Sequence, residues 1–218
     1  MKRRAAIDDL LKVMAKLRSP IGCPWDREQD HQTLRWHAVE EVYELLDAIE
    51  SEDDQELAEE LGDLLLQVVF HCQLANERGA FNFEKVARHI TDKLIRRHPH
   101  VFGDLKVKDV DQVWANWEKI KRAEKHGTRH ARPSALDGIP KHLPALLRAE
   151  KLAKKAKRAK IEIKIRPNRK LSRQQLGKEL LELALYAQTR GWSAEELLRA
   201  QAAKQEREWR KAEARARQ

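Results

Sequence analysis

The sequence predicts an all-α protein whose two halves carry opposite charge. Apolar residues make up 41% of the 218 residues and recur at helical spacing along most of the chain. Residues 1–120 contain 17 Lys+Arg and 24 Asp+Glu, a net charge of −7, whereas residues 121–218 contain 27 and 11, a net charge of +16. No apolar run is long enough to span a bilayer, and two cysteines make no disulfide framework. These observations favour a cytoplasmic helical protein without a membrane partner.

Turn residues divide the first half into separate helices. Pro20 and Pro24 stand in the loop PIGCPWD (20–26), Gly79 follows an Arg in a C-cap pattern, and Pro99 stops a later helix. The acidic cluster SEDD (51–54) breaks one helix and can cap the next. The expected helices cover about residues 5–17, 33–50, 55–77, 83–97 and 107–125.

The second half is expected to be a separate, basic helical region. Three prolines and two glycines mark 126–144 as a linker, so we expect a domain over 1–125 and another over 145–218. The segment 181–210 weakly repeats 64–97, since each has an apolar helix, then Arg-Gly, an aromatic residue and a second helix ending in Lys-x-x-Arg. The second copy has no Glu-x-x-Asp, so it is a degenerate repeat.

Two expected helices, joined by a turn centred near Glu52, carry paired acids. Glu44 and Glu60 lie eight residues on either side of the turn, and Glu41 and Asp63 lie eleven. With a rise of about 1.5 Å per residue, antiparallel helices bring each pair to the same height. The three-residue spacing within each helix puts both of its acids on one side. Four carboxylates are therefore expected to converge.

The chemistry of four converging carboxylates predicts a metal ion. Two of them belong to a stripe on the second helix, which consists of Glu56, Glu60, Asp63, Gln67 and His71. The helix is apolar nearly all round from Leu64, so the acids lie at the edge of a core or at a subunit seam. No Lys or Arg occurs between Trp36 and Arg78, which argues against a salt-bridged solvent face. Clustered anions there either protonate or bind a cation, and carboxylates suit Mg²⁺ or Mn²⁺. His37 and His71 are interpreted as residues that support the ligands or as core histidines.

Other residues suggest a nucleotide beside the metal. Magnesium held by carboxylates is the usual partner of nucleotide phosphates. Lys93, Arg96 and Arg97 supply cations at a helix end, although the helix dipole alone favours such a turn. Trp25 is suited to stack on a base, and Asp26 to accept a hydrogen bond from it. The alternative for both is a packed loop anchor.

Together these segments resemble the MazG family of nucleoside triphosphate pyrophosphohydrolases. The matching pieces are GCPWDREQ (22–29), EEVYELLDAIE (40–50), ELAEELGDLLLQVVFH (56–71), DKLIRRHPHVFGD (92–104), WEKIK (117–121) and SALDGIPKHLPALLRAEKL (134–152). The resemblance is close over roughly 1–152 and loose beyond. It implies an all-α fold on a four-helix core, assembly as dimers or higher oligomers, and Mg²⁺-dependent hydrolysis of a nucleoside triphosphate to the monophosphate and pyrophosphate.

The resemblance also implies roles for particular residues. The metal motif falls on Glu41, Glu44, Glu60 and Asp63. Glu40 matches the acid before the first pair and becomes a candidate water-activating base beside Glu41, or a residue that supports the metal ligands. Lys93, Arg96 and Arg97 resemble the phosphate-side cations. The second half resembles a family domain that lacks the metal-binding acids. The alternative function is therefore a catalytically weak helical regulator that binds nucleotide or RNA through its basic half.

Overall fold

The computed structural model describes residues 5–124, 128, 133–162 and 170–216, and all the regular structure in these ranges is helical. The predicted all-α fold is confirmed. The helices are α1 (Ala6–Leu17), α2 (Pro24–Glu28), α3 (His37–Ser51), α4 (Asp54–Glu77), α5 (Phe83–Arg97), α6 (Pro99–Phe102), α7 (Val110–Ala123), α8 (Ala145–Arg158), α9 (Arg173–Thr189) and α10 (Ala194–Arg215). Within the described ranges, none of them is both long and apolar enough to cross a membrane.

The first compact unit, Met1–Gln112, is built around α4. This helix packs against α1, α3 and α5, which gives the expected four-helix core. α4 is apolar on several sides from Leu64 onward, so it can be covered by several neighbours. The buried core consists of Met14, Leu34, Val69, Phe70 and Leu74. The acidic N-terminal part of α4 extends beyond this core and pairs with α3.

The turn between α3 and α4 lies where the sequence puts it. Glu52 ends α3 in the left-handed region, with φ of 57°. Asp53 caps α4, because its side chain accepts hydrogen bonds from the N–H groups of Gln55 and Glu56. The Ser51 hydroxyl donates to Glu56 Oε2 at 2.6 Å and ties the two helices together. These contacts fix the register of the hairpin and hence the relative height of its acids.

The segment before α3 contains a short helix, α2, that the sequence does not predict. Pro24 stands in its first turn, where a proline is tolerated because that N–H has no helical partner. Arg18 anchors it: its Nη1 donates to the carbonyls of Asp26 and Gln29, while its Nε and Nη2 each lie 2.7 Å from a carboxylate oxygen of Glu77. The hydrogen bonds from Arg18 lower the pKa of Glu77. α2 is thereby fixed to the end of α4.

The second compact unit, Val113–Gln218, is built around α10, which packs against α8 and α9. Its buried core is formed by Leu136, Leu152, Ala156 and Ala202. Leu136 belongs to the segment 126–144 that we expected to be a linker, yet it is 1% exposed. Residues 133–144 thus contribute to this unit, and the division between the units falls within α7. The domain bounds 1–125 and 145–218 stay a prediction.

A buried ion network joins α8 to α10 in this unit. Arg148 is 7% exposed and donates to Glu206. Arg210 contacts Glu206 at 2.6 Å and Asp137 at 2.7 Å. Burial alone raises the pKa of Glu206, but the hydrogen bonds from Arg210 and Arg148 outweigh burial and lower it. The network neutralises Arg148, a buried cation of α8, where this helix packs on α10.

The two helix connections that form the sequence repeat have the same backbone conformation. Gly79 follows α4 with φ of 67°, and Gly191 follows α9 with φ of 69°. In both places the positive φ suits a glycine, and the next helix starts at a side-chain cap, Asn82 before α5 and Ser193 before α10. The similarity supports the interpretation of the second half as a repeat of the first.

Candidate functional site

The α3–α4 hairpin brings three of the four predicted metal ligands together. Carboxylate oxygens of Glu41, Glu60 and Asp63 all lie within 4.8 Å of one another. All three side chains are half-buried, at the boundary between the core and the solvent, as the sequence predicts. Glu41 comes from α3 and the other two from successive turns of α4. Three carboxylates this close match the oxygen donors that a hard divalent cation requires.

The fourth predicted ligand, Glu44, is exposed and lies outside this group of three. It still interacts with it: partial loss of hydration raises the pKa of Glu44, and repulsion from Glu41, Glu60 and Glu40 raises it further. The pKa of Glu60 is raised for the same reasons, first by loss of hydration and then by repulsion from Asp63 and Glu41. The cluster therefore carries electrostatic strain that a bound cation relieves.

Glu40 and Trp25 are linked through His37. Glu40 Oε2 lies 3.7 Å from His37 Nδ1, and the rings of His37 and Trp25 meet edge to face with centroids 6.0 Å apart. His37 is exposed, so its interpretation as a core histidine is wrong. Trp25 is 52% exposed and leaves much of its ring open. An aromatic surface thus lies two side chains away from the predicted water-activating base.

Asp26 is placed differently from its neighbour on α2. It is only 9% exposed, and among the residues that the structure describes its carboxylate has no hydrogen bond or ion pair. Its main-chain carbonyl, by contrast, is held by Arg18. The carboxylate of this largely buried residue is therefore available to accept a hydrogen bond from a ligand.

The predicted phosphate-side cations lie near the end of α5. Lys93 is half-buried in the penultimate turn, and Arg96 and Arg97 stand in the last turn. Basic residues at this end also complement the helix dipole, the alternative that the sequence left open. Their contact with phosphate stays a prediction.

Two contacts beside the acids were not predicted. The Gln67 amide donates to Glu41 Oε1 at 3.0 Å. One turn further along α4, His71 Nδ1 lies 2.8 Å from His31 Nδ1, with the rings stacked at 5.1 Å. Burial lowers the pKa of His71, and His31 lowers it further. His71 thus contacts a histidine of the loop before α3, whereas Gln67 is the residue of the acidic stripe that reaches a predicted ligand.

Comparison with known proteins places this arrangement in a family. Residues 29–102 match the family model of the MazG nucleotide pyrophosphohydrolase domain, a segment that contains the entire acidic hairpin and α5. The nucleoside triphosphate pyrophosphohydrolase of Escherichia coli (strain K12) is 51% identical over 150 residues, which are 68% of this chain and 56% of that protein.

Two further relatives extend the similarity. The nucleoside triphosphate pyrophosphohydrolase/pyrophosphatase MazG of Thermotoga maritima is 46% identical over 149 residues, covering 68% of this chain and 56% of that protein. An uncharacterized 26.1 kDa protein of Streptomyces cacaoi is 42% identical over 200 residues, covering 91% of this chain and 78% of that protein. The chain spans about half the length of the two pyrophosphohydrolases. On the match of its acidic hairpin and on these relatives, residues 29–102 of the chain form a domain of the MazG nucleotide pyrophosphohydrolase family.

Proposed function

We propose that this chain is a Mg²⁺-dependent nucleoside triphosphate pyrophosphohydrolase that converts a (d)NTP to the (d)NMP and pyrophosphate. The observation that carries the proposal is the group formed by Glu41, Glu60 and Asp63, whose carboxylate oxygens lie within 4.8 Å of one another. The relatives named nucleoside triphosphate pyrophosphohydrolase support the reaction. The all-carboxylate donor set fits Mg²⁺, with Mn²⁺ as a substitute. Glu44 lies outside the group of three but interacts electrostatically with Glu41 and Glu60, and we assign it as the fourth ligand.

The side chains around the acids suit the steps of this reaction. When bound, the divalent cation supplies Lewis-acid polarisation of phosphate oxygens. Glu40, assisted by Glu41, accepts a proton from the water that attacks the α-phosphorus. A new O–P bond forms to the α-phosphorus while its bond to the bridging oxygen breaks, and pyrophosphate leaves. Glu40 suits this role because it adjoins the carboxylate group and its own side chain is exposed to water.

The substrate is expected to extend from the acids towards α2 and α5. We assign base stacking to Trp25, because its ring is largely open. We assign a hydrogen bond from the base to Asp26, because its carboxylate has no partner among the residues that the structure describes. Lys93, Arg96 and Arg97 are assigned to the leaving pyrophosphate. The short connection between α4 and α5 favours antiparallel packing, which brings the last turns of α5 towards the level of Asp63.

Pyrophosphate release tests the proposal. The rate is measured with Mg²⁺ and the eight common NTPs and dNTPs for the wild type, Glu41→Gln, Asp63→Asn and the control Glu50→Gln. Glu50 lies on α3 about 180° around the axis from Glu41, so its neutralisation leaves the site intact. We expect the rate to fall by more than about 100-fold in both site variants, because mutation of a residue that only supports a metal ligand already lowers activity by up to about 100-fold. Equal rates in all four proteins refute the assignment, and orthophosphate in place of pyrophosphate identifies a different scissile bond.

We further propose that the chain acts as a homo-oligomer, most simply a homodimer, in the cytoplasm. The outer face of the α3–α4 hairpin supports assembly, because it exposes a contiguous set of apolar side chains larger than scattered surface residues account for. They are Val39, Val42, Tyr43, Leu46, Ile49, Leu61, Leu65 and Val68. Light scattering coupled to gel filtration tests assembly, and Leu46→Glu is expected to yield monomers. A monomeric wild type contradicts it.

The basic second unit supports a second candidate function, binding of nucleotide or RNA. On α8, Lys151, Lys154, Lys157 and Arg158 are exposed, and none of them forms an ion pair with any residue in the described part of the chain. Such a stripe attracts polyanions. RNA binding that weakens steeply with salt and survives Asp63→Asn supports this function. Loss of RNA binding in that variant contradicts an independent basic site.

A further inference from the structure

Gln67 differs from the other polar residues of the acidic stripe in being almost fully buried. It is 7% exposed and lies one turn after Asp63 on α4. Its Nε2 donates to Glu41 Oε1 at 3.0 Å, across the interface with α3. Its own Oε1 is enclosed and accepts no hydrogen bond from any residue in the described ranges. Burying half of an amide without a partner is unfavourable, so a structural role alone is a poor explanation for a glutamine here.

The hydrogen bond restricts the orientation of the Glu41 carboxylate. Oε1 accepts from the amide across the interface with α3, and the carboxylate lone pairs that this bond does not use remain for a cation beside Glu60 and Asp63. A neutral amide suits this task better than a charged group. A lysine here would compete with the cation, and another carboxylate would add repulsion to an anionic cluster. Mutation of a residue that holds a metal ligand in this way commonly lowers metal affinity by about 10- to 100-fold.

We propose that Gln67 is a positioning residue that orients the Glu41 carboxylate for divalent metal binding through the hydrogen bond between Gln67 Nε2 and Glu41 Oε1. The inference rests on the proposed function, because it assumes that Glu41 is a metal ligand. Gln67 acts through Glu41, so its loss weakens metal binding and leaves the chemical step intact once the metal is saturating.

Gln73 provides a matched control on the same helix. Its Nε2 donates to Glu77 Oε1, also at 3.0 Å, at the end of α4 remote from the acids. Gln67→Met and Gln73→Met therefore each remove one glutamine–carboxylate hydrogen bond from α4 and substitute a side chain of similar length. Gln67→Asn retains an amide but shortens the side chain by one methylene, which withdraws it from Glu41, and it serves if the methionine variant does not fold.

The test measures Mn²⁺ binding to the metal-free full chain by the electron paramagnetic resonance signal of free Mn²⁺, with far-UV circular dichroism to confirm folding. We expect Gln67→Met and Gln67→Asn to weaken Mn²⁺ binding about 10-fold or more and Gln73→Met to match the wild type. In the activity assay, excess Mg²⁺ is expected to restore the rate of Gln67→Met but not that of Asp63→Asn.

The outcomes separate this inference from the function on which it rests. Wild-type Mn²⁺ affinity in folded Gln67→Met or Gln67→Asn overturns the role of Gln67 and leaves the proposed metal site standing. A similar loss of affinity in Gln73→Met also overturns it, because the effect is then general to α4. A wild-type chain that binds no Mn²⁺ overturns the proposed metal site and this inference together.

Discussion

Gly22→Ala is expected to destabilise the first unit because the backbone leaves no space for a Cβ atom. A Cβ built on Gly22 lies 2.0 Å from the carbonyl oxygen of Leu17 and 2.4 Å from that of Lys16. Both neighbours are main-chain atoms, so the turn itself has to move. The bonds from Gly22 N to Ser19 O and from Cys23 N to Leu17 O, both 2.8 Å, are then lost or distorted. At about 1 kcal/mol for each bond, with added strain, we expect a loss of about 2–3 kcal/mol.

Gly62→Ala is the matched control with the opposite expected sign. Gly62 lies within α4, and a Cβ there meets nothing within 4 Å. Alanine is the better helix former by about 0.8–1 kcal/mol, so this variant is expected to be more stable than the wild type.

Thermal unfolding followed by circular dichroism distinguishes the two variants. The Tm of Gly22→Ala is expected to fall by about 4–12 °C, since 1 kcal/mol corresponds to roughly 2–4 °C in a protein of this size. Because the turn leads into α2, which carries Trp25 and Asp26, KM is also expected to rise. A Gly22→Ala protein at least as stable as the wild type refutes the steric reasoning, as does destabilisation of the same size in Gly62→Ala.

Three other predictions concern ionisable groups. Arg18→Met removes the paired contacts to Glu77 and is expected to cost about 2 kcal/mol in urea denaturation; a change within error contradicts the anchoring role. In the folded state the pKa of His71 is lowered below its ordinary 6.5, chiefly through burial. The unfolded chain therefore takes up this proton more readily, so the free energy of unfolding is unaffected above pH 6.5 and falls as the pH drops below that value. His71→Gln is expected to flatten this slope between pH 7 and 5, and an unchanged slope contradicts it. Arg148→Met breaks a buried ion pair with Glu206 and is expected to lower the free energy of unfolding of the second unit by about 3 kcal/mol. This value is at the lower end for buried ion pairs because Glu206 keeps its contact with Arg210. Calorimetry of the second unit's unfolding transition measures the loss, and an unchanged transition contradicts the prediction.

The hairpin is the part of the fold that sequence reasoning predicted best. A turn near Glu52 follows from the local SEDD cluster, and once the turn is placed, helical geometry alone puts Glu41 level with Asp63. Both steps depend on residues close in sequence, and the structure confirms the turn and the grouping of three acids. Glu44 departs from the expected group, because equal axial height does not fix which way a side chain turns.

The features that the sequence did not predict are tertiary contacts, which hydrophobic periodicity does not specify. Gln67 shares the stripe of the acids, which was the available signal, but its bond to Glu41 depends on the rotation of α4 against α3. His31, in a loop, contacts His71, in a helix, and the two residues are 40 positions apart in the sequence. Leu136 stands among prolines and glycines that indicate a linker, and its burial results from packing against α8 and α10, which local composition does not encode.

The products formed from a nucleoside triphosphate test the proposed reaction most directly. Phosphorus-31 nuclear magnetic resonance of GTP and Mg²⁺ with the wild-type chain distinguishes cleavage at the α-phosphate from cleavage at the γ-phosphate, with Asp63→Asn as the reference. We predict that monophosphate and pyrophosphate appear one to one with the wild type and not with Asp63→Asn. Appearance of diphosphate and orthophosphate, or equal turnover by the two proteins, would contradict a pyrophosphohydrolase that acts through the carboxylates of the α3–α4 hairpin.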